Sequence, residues 1–94
     1  MANIFSSLRV YASKWSVKST RNFEAEEIAA VEHAVVVPSE YGNSVQFTMK
    51  SGGLTYIPLD QNSTLGVGEV VDLQKAKIIT LCKSGEADIF RVSI

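Results

Sequence analysis

Between Ala34 and Leu59 the chain uses one device twice: a strand-forming run, a glycine-bearing turn, and another strand-forming run. Ala34-Val35-Val36-Val37 is rich in β-branched residues. Val45-Gln46-Phe47-Thr48-Met49-Lys50 alternates strictly apolar and polar, the period of a strand with one buried face. Leu54 to Leu59 is the third run, and Tyr41-Gly42-Asn43-Ser44 and Ser51-Gly52-Gly53 are the turns between them. Gly-Asn and Gly-Gly can take the positive φ that two-residue hairpin loops require, so the segment predicts a three-stranded antiparallel meander. With both loops two residues long, Val36 stands opposite Met49 and Met49 opposite Tyr56. One face then gathers Val36, Val45, Phe47, Met49, Leu54 and Tyr56 as core. The other carries Val35, Val37, Gln46, Thr48, Lys50, Thr55, Ile57 and Leu59. A one-residue slip would exchange the two faces of a strand.

The remaining segments extend this pattern. Arg9 to Lys18, Glu69 to Leu73, Lys75 to Cys82 and Asp88 to Ile94 read as strands, with a turn at Lys83-Ser84-Gly85-Glu86 and a polar connection from Asp60 to Leu65. One short helix is expected over Glu24 to Ala30, capped by Asn22, with acids in the first turn where the helix dipole favours them. Short strands at regular spacing predict a mainly β fold: a small barrel or curled antiparallel sheet with one short α-helix, forming a single domain over residues 1–94. A chain this small buries only roughly 60–65% of the surface it exposes unfolded. Pairing with another copy or a ligand is a common supplement, so a homo-oligomer is an expectation.

Charge is unevenly placed. Residues 1–21 hold Arg9, Lys14, Lys18 and Arg21 and no acid, whereas residues 22–94 hold five cations and ten acids. The basic stretch also carries Tyr11 and the only tryptophan, Trp15. Lysine and arginine on an edge strand blunt its pairing with other chains. Cations beside flat aromatic rings also supply what a binder of single-stranded nucleic acid needs: charge for the phosphates and faces on which bases stack. In a regular strand Tyr11, Ser13, Trp15 and Val17 lie on one side, and Lys14, Ser16 and Lys18 on the other. A bulge or a twisted edge strand could bring them together.

Catalytic constellations are sparse. His33, beside Glu32, is the only histidine, and it reads as a structural or surface residue. Cys82 is the only cysteine; it excludes an internal disulfide and reads as a buried thiol in an apolar run. No spacing resembles a calcium loop, and Ser51-Gly52-Gly53 and Gly66-Val67-Gly68 are too short to cradle phosphate. Glu24, Glu26 and Glu27 read as a solvated helical turn. The chain is therefore expected to be a non-enzyme with no cofactor and no metal. No apolar run is long enough to cross a membrane, and the N-terminus lacks the signature of a signal peptide, so a cytoplasmic protein is expected.

The run Tyr41 to Phe47, then Gly52-Gly53, Tyr56-Ile57-Pro58-Leu59 and Gly68-Glu69-Val70-Val71-Asp72, resembles small uncharacterised proteins encoded by phages and mobile elements of gut bacteria. In outline it is also similar to the oligonucleotide/oligosaccharide-binding (OB) fold of single-stranded DNA-binding proteins. There a curved meander, here residues 34–59, is followed by a connection and a closing hairpin, here residues 76–94. The resemblance implies an OB-like barrel whose exposed meander face, with Gln46, Thr48, Lys50 and Thr55 and the loops at Tyr41 and Gly52, meets nucleic acid.

Two functions follow as expectations. The first is a non-catalytic module of a phage or mobile element that binds single-stranded nucleic acid, with single-stranded DNA as partner. Lys14, Lys18, Arg21 and Lys50 would hold phosphates, Trp15 would stack, and Tyr41 is a further contact. The second is a protein-interaction or assembly subunit, a phage structural or accessory protein, associating through its sheet edges.

Overall fold

The computed structural model describes residues 16–40, 42–82 and 89–94, with Ser16, Val17, Lys18 and Cys82 described by their backbone alone. The elements run β1 (Ser16–Asn22), α1 (Ala25–Ala30), β2 (Val31–Ser39), β3 (Gly42–Met49), β4 (Leu54–Pro58), β5 (Lys77–Cys82) and β6 (Ile89–Ser93). The expected mainly β fold with one short helix is present, as two antiparallel three-stranded sheets ordered β2-β3-β4 and β1-β5-β6. The sheets are not closed into a barrel. Among the described residues their backbones join where Leu59 forms a parallel bridge with Val92 and the Asp60 N–H donates to the Val92 carbonyl at 2.7 Å.

The meander forms as the alternation predicts, but its loops differ. Ser39 pairs with Gly42, so β3 begins at the glycine that was expected in the turn, and Val36 faces Val45 rather than Met49. That displacement is even, so β2 and β3 keep the expected faces. The second loop has three residues, Lys50 to Gly52, closed by the Met49 N–H donating to the Gly53 carbonyl at 2.8 Å. Gly52 sits at φ +100, the left-handed position that a three-residue hairpin loop needs. Here the displacement is odd. Gln46 pairs with Tyr56 and Phe47 with Thr55, which turns β4 over. Ile57 and Leu59 go inside, at 2% and 6% exposure, while Leu54 and Tyr56 stand outside at 55% and 37%.

One core draws on both sheets. Val36, Val45, Phe47 and Ile57 from the meander meet Ile78 and Val92 from the second sheet, and Phe23 leans against Phe47 with ring centroids 6.1 Å apart. The 60–76 connection contributes Val71, Leu73 and Ala76. Its expected strand over Glu69 to Leu73 is reduced to one bridge, Val70 with Val35. Three backbone hydrogen bonds still lay it along the outer edge of β2: Gly68 N–H to Val36 O, Val36 N–H to Glu69 O, and Val71 N–H to Ala34 O, each 2.9 Å.

The helix is held by its first turn. Glu24, not Asn22, is the N-cap, and its N–H donates to the Glu27 carboxylate at 2.8 Å. Phe23 and Ile28 occupy the positions of a hydrophobic staple, and both pack on the core. Six residues are too few for an independent helix, so its stability comes from this docking.

The register makes a direct prediction. Phe47→Ala will lower unfolding free energy by about 3–5 kcal/mol in urea denaturation, as a buried aromatic truncation does. Leu54→Ala will change it by about 0.5 kcal/mol or less, as an exposed site does. Equal losses at both positions would show the two-residue loop and its opposite facing of β4 to be correct.

Candidate binding surface

The strand β1 carries one extra residue. Val17 pairs with Leu81 and Ser19 with Thr80, leaving Lys18 as the bulged position. A bulge re-aims the residues after it. Without it Arg21 would share the face of Val17 and Leu81; with it Arg21 lies opposite fully buried Ile78, on the core side. There the guanidinium makes a two-pronged contact with Glu27, Nη1 to Oε1 at 2.7 Å and Nη2 to Oε2 at 3.0 Å. Nη1 also donates to the Asn22 carbonyl at 2.9 Å. The two side chains are 29% and 11% exposed, so Glu27 is not the solvated residue its sequence position suggested.

This geometry sets the titration of both groups. The hydrogen bond to Glu27 raises the Arg21 guanidinium above its ordinary value, burial opposes this, and the charges of Glu27 and Glu24 add to the rise. Burial pushes the Glu27 carboxyl up, but hydrogen bonds from Arg21 and the Glu24 N–H, with the Arg21 charge, outweigh it and hold the group below its ordinary value.

The sequence-predicted site residues are therefore dispersed. Arg21 is engaged within the chain. Lys18 sits at the bulge of β1. Lys50 is exposed at the β3–β4 turn, its N–H donating to the Ala30 carbonyl at 3.0 Å. Lys14, Trp15 and Tyr41, with Tyr11, lie outside the described residues, as does the Cys82 side chain. Of the meander residues, Gln46 and Thr48 are half-buried on the outer face, while Thr55 has gone to the core side with Phe47.

What the register assembles instead is an apolar stripe. Across the outer face run Val70, Val35, Gln46 and Tyr56 in one row, and His33, Thr48 and Leu54 in the next. Val70 is 66% exposed. Lys50 is the only Lys or Arg in β2, β3, β4 and the turns joining them. Sequence reasoning missed Leu54, Tyr56 and Val70; for Leu54 and Tyr56 the signal that could have found them is the three-residue loop that the Lys50-Ser51-Gly52 spacing also permits.

Two clefts are bounded by described residues. One of about 250 Å³ lies between the start of β2 and the 70–74 segment, with Val31, Ala34, Val71 and Leu73 beneath and Glu32, His33 and Asp72 around it. The other, about 350 Å³, is bounded by Gly42, Asn43, Leu59 to Gln61, Ser63 and Leu65. Among the described residues no three His, Cys, Asp or Glu side chains converge as metal ligands would. Also among them, no helix is long and apolar enough to cross a membrane. The chain matches no known protein family, no curated protein and no solved structure.

The Arg21–Glu27 pair predicts a pH signature. Because the Glu27 pKa is lowered on folding, the pair stabilises the protein above the ordinary carboxyl value near 4.5 and the contribution is lost as pH falls through the folded value. Glu27→Gln will cost about 1–2 kcal/mol at neutral pH. Thermal unfolding of the two proteins will converge as pH is lowered below that range. A gap that stays constant with pH would remove the ion pair as its cause.

Proposed function

We propose that the protein is a non-catalytic assembly module that associates with other copies of itself through the outer face of the β2-β3-β4 sheet. The observation that carries this reading is the exposed apolar stripe of Leu54, Tyr56 and Val70 on a face with one cation at its margin. Leu54 and Tyr56 are neighbours on one side of β4, and exposed apolar side chains grouped on one face of a small domain mark an interaction site. The described part of the chain is also acidic, with six Lys and Arg against eight Asp and Glu, which disfavours phosphate. Association through the edge of β1 has less support, because the bulge at Lys18 is a device that makes an edge unfit for pairing. The setting in a phage or mobile element rests on the resemblance of residues 41–72 alone.

Sedimentation velocity from micromolar to millimolar protein tests this. The wild-type chain will show a concentration-dependent shift to dimer or larger species, and Leu54→Ser with Tyr56→Ser will abolish it without changing the far-ultraviolet circular dichroism. A monomer throughout the range would overturn the reading.

Single-stranded nucleic acid is the second reading. It is favoured by the run Lys14-Trp15-Ser16-Val17-Lys18, which leads into β1, and by exposed Lys50. A thymidine oligomer titrated at low salt would then quench Trp15 fluorescence, and the effect would fade steeply as salt rises. On the assembly reading the fluorescence stays unchanged at low salt.

A further inference from the structure

The cleft beside the outer face has a built chemistry that the apolar stripe does not explain. Like β1, β2 carries a bulge: Val31 pairs with Met49 and His33 with Thr48, leaving Glu32 unpaired in the ladder. The bulge puts two consecutive side chains, Glu32 and His33, in solvent between buried Val31 and buried Ala34. On the far side, the 68–71 segment bonds to β2 at Ala34 and Val36 and stops short of residues 31–33. The gap so left is the cleft of about 250 Å³. That is below the ~300–1,000 Å³ of pockets that enclose small-molecule ligands, and closer to the scale of one long side chain.

Its surfaces differ from floor to rim. The floor is Val31, Ala34, Val71 and Leu73, all buried. The rim holds Glu32 and Asp72, both exposed and neither in an ion pair among the described residues. Asp72 accepts one hydrogen bond, from the Gln74 N–H at 3.0 Å, which leaves carboxylate capacity facing solvent. An apolar floor under two free carboxylates complements a side chain with a methylene stem and a cationic tip.

We infer that this cleft receives a Lys or Arg side chain from a neighbouring copy, extending the self-association proposed above, on which the inference rests. Charge complementarity within the chain supplies the partner: besides Arg21, which Glu27 engages, residues 1–21 carry Arg9, Lys14 and Lys18 and no acid, and Glu32 and Asp72 belong to the remainder with its excess of acids. Val70 both lines the cleft and belongs to the apolar stripe, so one neighbour spans the two. A cation from the basic stretch of one copy enters the acidic cleft of the next.

Two measurements test it. In nitrogen–proton correlation spectra of dilute protein, Nα-acetyl-lysine N-methylamide will shift the amides of residues 31–34 and 70–74. The norleucine analogue, with the same stem and no charge, will bind about fivefold more weakly, the upper range for an exposed ion pair. Glu32→Gln with Asp72→Asn will remove that difference; both replacements keep an acceptor oxygen, and an unchanged melting temperature will show the fold intact. Equal shifts from both probes, or shifts elsewhere, overturn the cleft as a cation site while leaving association through Leu54 and Tyr56 untouched. In sedimentation, the double variant will weaken self-association at low salt more than at high salt. If it associates as the wild type does, the neighbouring copy is not the occupant.

Discussion

Every strand edge in a small β protein must be paired, covered or made unfit for pairing, and the architecture here follows from how each edge is treated. The outer edge of β2 is covered by the 68–71 segment through three backbone hydrogen bonds. The chain beyond β4 is joined to β6 at Leu59 and Asp60. Among the described residues, β1 keeps an outer edge with no backbone partner, and that strand carries the bulge at Lys18. These three solutions let two half-open sheets share one core without closing into a barrel.

The treatment of β1 also accounts for part of the basic stretch. The extra residue at Lys18 breaks the regular ladder, and the same extra residue turns Arg21 inward to meet Glu27. Glu27 in turn accepts from the Glu24 N–H and so starts the helix that delivers the chain into β2. The ion pair thus ties the end of β1 to the first turn of α1. One of the four cations is explained by internal structure, and its guanidinium is engaged by a carboxylate that a nucleic-acid phosphate would have to displace.

The alternation in Val45 to Lys50 made the meander and the β3 core face readable, because a period of two allows few other structures. Its pairing was less readable, because loop length and not hydrophobicity sets register, and Lys50-Ser51-Gly52-Gly53 fits a loop of two residues or of three. The helix was visible from its acids, but its cap was not, since Asn22 is the better capping residue by type and is used as the last residue of β1 instead. Neither bulge leaves a local signal: nothing in Ser16 to Asn22 or Val31 to Ser39 marks an extra residue. The Arg21–Glu27 pair and the cleft at Glu32 both depend on a bulge, and the cleft joins segments some forty residues apart. Such features arise only once the sheets are assembled.

The register of β4 ties the candidate surface to the core. Ile57 is buried and Tyr56, its chain neighbour, is exposed because the strand presents alternate residues to opposite sides. Hiding Tyr56 and Leu54 by a one-residue slip would expel Ile57 and Leu59. Each such side chain is stabilised by about 1.5–3 kcal/mol in the interior. For a domain of this size that is a large share of the total stability. The apolar stripe is therefore a fixed consequence of packing and not a loose segment that can fold away. A chain that must show Leu54 and Tyr56 in order to bury Ile57 and Leu59 gains from any partner that covers them, and another copy carries the same face at the same concentration.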